Sequence, residues 1–212
     1  MKFDTLLALI GAEPVFETGL LLAGDVDPGD VRRQLSRWVA GRRLHQIRRG
    51  LYALAPPFQK VRPHPFLVAN RLVRGSYVSL QSALAHHGLI PESVPVTTSI
   101  TLGRPGRWET AFGAFEFHHV RPALFTGFRS EIVSAGQSAF VASPEKALAD
   151  LVHLVPGADS REYLEELRLS NLWKADLAGL LEQPGIAAKP KLRRALTRLE
   201  ALARTEAGAS PT

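Results

Sequence analysis

No cysteine occurs anywhere in the 212 residues, and no aspartate or glutamate occurs between Val31 and Pro91. The first absence excludes disulfides, thiolate zinc sites and cysteine nucleophiles. Long apolar runs are missing too, since none approaches the ~20 residues of a membrane span. The opening Met1-Lys2-Phe3-Asp4 turns acidic too early, and the apolar stretch over residues 5–10 is too short, for a secretory signal. A cytoplasmic chain with no membrane partner is expected. No glycine loop is followed by Lys-Ser or Lys-Thr to cradle phosphates. No serine sits in a Gly-x-Ser-x-Gly elbow either. These absences point away from an enzyme, and no catalytic residue, metal site or cofactor is expected.

The stretch without acids is far from neutral, because it carries eleven Lys and Arg residues. The whole chain has 26 basic and 20 acidic residues, a net of +6, so this stretch at +11 leaves −5 for everything else. Arg32, Arg33, Arg37, Arg42, Arg43, Arg48 and Arg49 form its densest part. Concentrated like charge repels itself, and a polyanion partner offsets that cost. A merely solvated face normally mixes both signs. Double-stranded DNA is the favoured partner, with RNA as the lesser alternative.

The basic run has a local grammar. Phe3, Leu6, Leu7 and Ile10 recur at helical spacing, which predicts a short first helix over 2–10 ended by Gly11 and Pro14. Val15-Phe16 reads as a short strand, and residues 18–23 as a second helix ended by Gly24. Residues 25–30 form a turn in which Asp27 caps a third helix with Pro28 at its first position. That helix, over about 28–39, has Val31, Leu35, Trp38 and Val39 on its apolar stripe. Its other face carries Arg32, Arg33, Gln34, Ser36 and Arg37, with Arg33 and Arg37 stacked four apart. After Gly41, the segment Leu44-His45-Gln46-Ile47 alternates like a strand. Arg48-Arg49-Gly50 supplies a turn, and Leu51 to Leu54 returns. Helix, turn, strand, basic turn, strand is the outline of a winged helix-turn-helix. In such a unit a helix enters the major groove, where arginine reads guanine and glutamine reads adenine. The candidate DNA-binding residues are therefore Arg32, Arg33, Gln34, Ser36, Arg37, Arg42, Arg43, His45, Arg48 and Arg49. Lys60 and Arg62 extend the basic band past Pro56-Pro57.

The rest of the chain reads as α+β. A helix is expected over 64–73, a brief strand at Tyr77-Val78, and a helix to His87 capped by Ser79 or Ser82. Residues 94–102 are β-rich, residues 103–107 form a loop, and 112–120 make a strand with Phe115 and Phe117 on one face. Ser143-Pro144-Glu145 starts another helix, and everything from Arg161 onward has helical periodicity. The expected units are a winged helix-turn-helix over 1–57, a mixed α/β unit with a helical C-terminus over 63–206, and a disordered tail over 207–212.

Two other constellations are read as structural. The pairs His86-His87 and His118-His119 are sequence neighbours whose side chains diverge, and no His-x-x-x-His spacing accompanies them. Glu145 complements a helix dipole at the second helical position, while Asp150, five residues on, lies well round the helix from it.

The run from Leu35 to Leu54, quoted above, resembles the N-terminal winged helix of AbiEi-type antitoxins from bacterial abortive-infection, type IV toxin–antitoxin systems. Tyr77-Val78-Ser79-Leu80-Gln81-Ser82-Ala83-Leu84-Ala85-His86-His87-Gly88-Leu89-Ile90 resembles the helix that follows the family's linker. Ala142-Ser143-Pro144-Glu145-Lys146-Ala147-Leu148-Ala149-Asp150-Leu151 resembles a second family landmark. The similarity covers about residues 5–200. It implies an N-terminal domain that binds operator DNA and represses its own operon. It also implies a C-terminal domain that counteracts a cognate nucleotidyltransferase-like toxin. The sequence departs from the family pattern in its acidic Asp25-Val26-Asp27-Pro28-Gly29-Asp30. The alternatives are a nucleic-acid-processing enzyme that uses the basic unit to deliver substrate, and a stand-alone regulator without a toxin.

Overall fold

Two sheets, one of three strands and one of six, organise the described residues. The structure, a computed structural model, describes residues 1–23, 26–92 and 94–209. Helix α1 (Phe3–Ile10) buries Leu6 and Ile10. Strand β1 (Phe16–Glu17) follows, and then a single 3-10 turn over Thr18–Leu22. The sequence predicts a helix there, but only Leu21 is buried and the segment contains Gly19, too little to propagate an α-helix. Gly24 and Asp25, expected to end that helix and open the next turn, lie outside the described residues.

Helix α2 (Pro28–Ala40) begins as its residues dictate. Asp27 accepts from the Asp30 amide at 2.9 Å, and Pro28 occupies the first turn, where its missing N–H costs nothing. Val31 and Leu35 are buried beneath it. Strands β2 (Leu44–Arg48) and β3 (Leu51–Leu54) pair antiparallel, and β1 joins the free edge of β3. Gly50, at φ +83°, makes the turn that an L side chain would strain.

This small sheet is covered on both faces. Leu44, Phe16, Tyr52 and Leu54 pack with α1 and α2. Val15, Ile47, Leu51 and Ala53, alternating with them, belong to the main core of the C-terminal part. The hairpin is therefore a middle layer, and the two units expected from sequence share buried side chains across it. Phe58 folds back onto Phe3, ring centroids 4.9 Å apart. Gln137 then pins the connecting segment, accepting from the His64 amide at 2.8 Å and donating to the Arg62 carbonyl at 3.0 Å.

Beyond it come α3 (Pro65–Leu72), β4 (Ser76–Val78), α4 (Leu80–His86), β5 (Val96–Thr101), β6 (Gly106–Thr110), β7 (Gly113–His119), β8 (Phe128–Ser134) and β9 (Gln137–Ala142). The sheet order is β6-β7-β5-β4-β9-β8, with β5–β7 and β4–β9 parallel and the other pairs antiparallel. The expected loop over 103–107 is shorter than the sequence implies. Strand β6 begins at Gly106 because Trp108 packs edge-on against Phe117, 5.0 Å between centroids. Phe115 and Phe117 are both buried, as their alternation predicts.

Helix α5 (Pro144–Leu154) lies against α4 and carries the polar centre of the core. Lys146 and Asp150, at 3% and 1% side-chain exposure, form an ion pair one helical turn apart. Asp150 also accepts from Tyr77 Oη at 2.9 Å and Ser79 Oγ at 2.7 Å. Burial pushes the Asp150 carboxyl up, and the same burial with Asp150 beside it raises the Tyr77 hydroxyl. Ser79 occupies the N-cap position of α4, as expected, but its side chain makes no capping hydrogen bond. Ser79 is committed to Asp150, and Ser82 bridges to β5 by donating to the Val96 carbonyl and accepting from the Thr98 amide.

The C-terminal residues are helical but broken. Left-handed Arg168 and Asn171 interrupt the run after α6 (Arg161–Glu166). Short helices α7 (Leu177–Leu181) and α8 (Pro184–Ala187) then lead to α9 (Pro190–Ala209). Helix α9 enters the stretch expected as a disordered tail, and residues 210–212 lie outside the described residues. Among the described residues, no helix is long and apolar enough to cross a membrane.

Candidate nucleic-acid interface

The acid-free stretch presents its charge unevenly. On α2 the residues Arg32, Arg33, Ser36 and Arg37 are exposed, opposite the buried Val31 and Leu35. At its N-terminal end Arg33 is not free, because it pairs with Asp30 and stands 3.9 Å from Asp27. The backbone amides of Asp30 and Gly29 hold the Asp27 carboxyl below its ordinary range, with Arg33 and Arg32 adding to the effect. The start of α2 thus carries two carboxylates, and they occupy Arg33.

The C-terminal end of α2 is different. Among the described residues, Arg37, Arg42, Arg43 and Arg49 have no acidic side chain within ion-pair distance. The turn from α2 into β2 holds Arg42 in the left-handed region, φ 54°, and the amides of Arg42 and Arg43 return to the Val39 and Trp38 carbonyls. A glycine normally takes such a position, because a Cβ there costs ~1–2 kcal/mol. Arg43 lies over the Phe3 ring at 5.1 Å, and Phe3 is itself wedged edge-on between Trp38 and Phe58. An aromatic cluster therefore sets the direction of that guanidinium.

Arg37 and Arg43 line a groove of about 590 Å³ together with Lys2, Asp4, Gln34, Trp38 and Phe58, so the groove holds three cations and one carboxylate. Gln34 is half-buried, and its Oε1 has no hydrogen-bond partner among the described residues. Lys2 adds a cation that sequence reasoning does not assign. It stands ahead of α1, far from the basic run in the chain, and only the packing of α1 on α2 brings it there.

Three expected DNA-binding residues have other surroundings. Gln34 is the half-buried one just described. His45 packs edge-on against Phe112 at 5.6 Å, so it faces the turn between β6 and β7. Arg48 is clamped: its Nε and one terminal nitrogen donate to the Arg71 carbonyl at 3.3 and 3.1 Å, and the other donates to the Arg49 carbonyl at 3.1 Å. Glu17 lies 3.9 Å from it and is bound by Arg74. The hydrogen bond from Arg74, opposed by burial and aided by Arg48 and Arg71, keeps the Glu17 carboxyl below its ordinary range. The hairpin tip is thus tied to the end of α3, while the Arg49 side chain beside it remains exposed. Lys60 and Arg62 are exposed on the connecting segment.

No protein-family profile matches the chain, and no curated protein is significantly similar to it.

Proposed function

We propose that the protein is a DNA-binding transcriptional repressor of the AbiEi antitoxin type, and that its first 57 residues act as a winged helix-turn-helix. The observation that carries this reading is the unpaired cationic group at the C-terminal end of α2, made of Arg37, Arg42 and Arg43 within a stretch that has no acids. Such a group neutralises phosphates, releases their counterions and gives affinity that falls steeply with salt. In this reading α2 approaches DNA with its C-terminal half and the following turn, because Asp27 and Asp30 at its start repel phosphate. Arg49 and the connecting Lys60 and Arg62 supply flanking contacts. Arg48 and His45 act from behind, fixing the hairpin against the C-terminal unit.

A binding role suits the C-terminal unit better than a catalytic one. Its strongest titratable network, Lys146 with Asp150, Tyr77 and Ser79, is sealed from solvent and from any substrate. The second activity we propose is neutralisation of a cognate nucleotidyltransferase-like toxin, which rests on the resemblance of the residues 77–90 and 142–151. The shared core makes point substitutions, rather than truncation, the way to separate the two activities.

The test is a mobility-shift titration of the full chain on the duplex upstream of its own gene and on a scrambled duplex, at several salt concentrations. Tighter, salt-dependent binding to the first duplex is expected. Equal or undetectable binding to both would overturn the repressor reading. Co-expression with a neighbouring nucleotidyltransferase gene, scored by growth, tests the antitoxin reading separately.

A further inference from the structure

Three ligand-bearing side chains converge where the end of α4 meets the inner face of β8. His86 is the last residue of α4 and His87 follows it. Glu131 pairs across the hairpin with the buried Ala139, so it points inward, and its side chain is only 15% exposed. One ligand atom of each residue lies within 4.8 Å of those of the other two. His86 Nε2 stands 3.0 Å from Glu131 Oε2. Two ligands on one tetrahedral ion with ordinary bond lengths are ~3.4 Å apart. The expectation that adjacent histidines diverge fails here. At the end of the helix the two rings meet edge-on, 5.1 Å between centroids.

The surroundings prepare each ligand. His87 Nε2 lies 2.8 Å from the Ala142 carbonyl oxygen, which only accepts, so Nε2 donates and Nδ1 is the nitrogen left for a metal. Phe66 holds the His86 ring edge-on at 5.5 Å. Arg129 Nε donates to the other Glu131 oxygen at 2.9 Å, fixing the carboxylate plane. A carbonyl behind one imidazole and a hydrogen-bonded carboxylate are the outer contacts that orient metal ligands.

We propose that His86, His87 and Glu131 bind a divalent transition-metal ion, with zinc as the fitting member and a fourth position open to solvent. Two imidazoles and one carboxylate match zinc, whereas calcium and magnesium require oxygen ligands. His86 and Glu131 already stand 3.0 Å apart, and bringing separations of up to 4.8 Å to ~3.4 Å takes side-chain adjustments of at most about 1.4 Å. A bound ion ties the end of α4 to the β8–β9 hairpin, whose outer strand β8 is an edge of the sheet.

The experiment uses the full-length chain, treated with chelator and dialysed, and titrated with zinc chloride alone in a calorimeter without DNA. One zinc per chain is expected, with a higher melting temperature when loaded. His87→Ala and Glu131→Gln should each weaken binding at least about tenfold. His118→Gln, whose ring lies 3.5 Å from Glu116 and joins no three-ligand cluster among the described residues, should bind as the parent does. Glu131→Gln preserves shape, so it decides the question if His87→Ala does not fold. Absence of saturable uptake by the parent chain, or unchanged affinity in Glu131→Gln, overturns the proposal.

Discussion

Arg48→Ala removes the guanidinium that joins the hairpin tip to the end of α3. The lost contacts are two hydrogen bonds to the Arg71 carbonyl and one to the Arg49 carbonyl. A hydrogen bond from a charged donor contributes ~1.5–3 kcal/mol where it is shielded. The Arg48 side chain is 31% exposed, its two bonds to Arg71 share one carbonyl oxygen, and the Glu17 contact at 3.9 Å adds little, so the whole set is taken as about one such bond at the lower end. A loss of ~1.5–2 kcal/mol in a chain of this size lowers the melting temperature by ~3–8 °C. Calorimetry measures that shift, and mobility shifts over a salt series measure the effect on DNA. Arg48→Ala should leave the slope of log K against log salt nearly unchanged. Arg49→Ala should flatten it by ~0.9, the value of one phosphate contact, and leave the melting temperature in place. A flattened slope in Arg48→Ala without a melting shift would refute the clamp and return Arg48 to the DNA face.

Asp150→Ala strands a buried Lys146 ammonium and should cost ~3–5 kcal/mol, a drop of about 10 °C in calorimetry. Adding Lys146→Met should recover much of it. Arg42→Gly relieves a left-handed backbone, so it should raise stability by ~1 kcal/mol in denaturant titration while weakening DNA binding. Glu17 has a folded-state pKa below its ordinary 4.5, so its contribution is present above pH 4.5 and is lost as pH falls through the folded value. Acid unfolding followed by circular dichroism should therefore begin at higher pH for the parent chain than the Glu17→Gln variant would show relative to its own neutral-pH stability.

The local features were legible because local chemistry decides them. Asp27-Pro28 starts α2, Gly50 makes the hairpin turn, and Phe115 and Phe117 share the inner face of β7. What lay beyond the sequence depended on contacts between distant segments. The unbroken apolar run Leu51 to Ala55 marks a strand covered on both faces, but only the fold shows that the second cover is the C-terminal unit. Arg48 and Arg49 are indistinguishable in the chain, and the Arg71 carbonyl is what separates them. Arg33 differs from Arg37 for a local reason instead, since Asp30 sits three residues before it on the same helix. The edge strand β8, with Arg129, Ser130, Glu131 and Ser134, has little apolar signal. Its Glu131 comes beside His86 and His87 only through the order of the six-stranded sheet.

The central claim, that DNA is held by the C-terminal end of α2, is tested most directly by the salt dependence of binding to the upstream duplex. The parent chain is compared with the triple variant Arg37→Ala, Arg42→Ala, Arg43→Ala and with Arg33→Ala. The triple variant should flatten the slope by up to about 2.7, three phosphate contacts at ~0.9 each, and Arg33→Ala should change it little. A triple variant with the parent's slope, or an Arg33→Ala effect as large as the triple's, would contradict it.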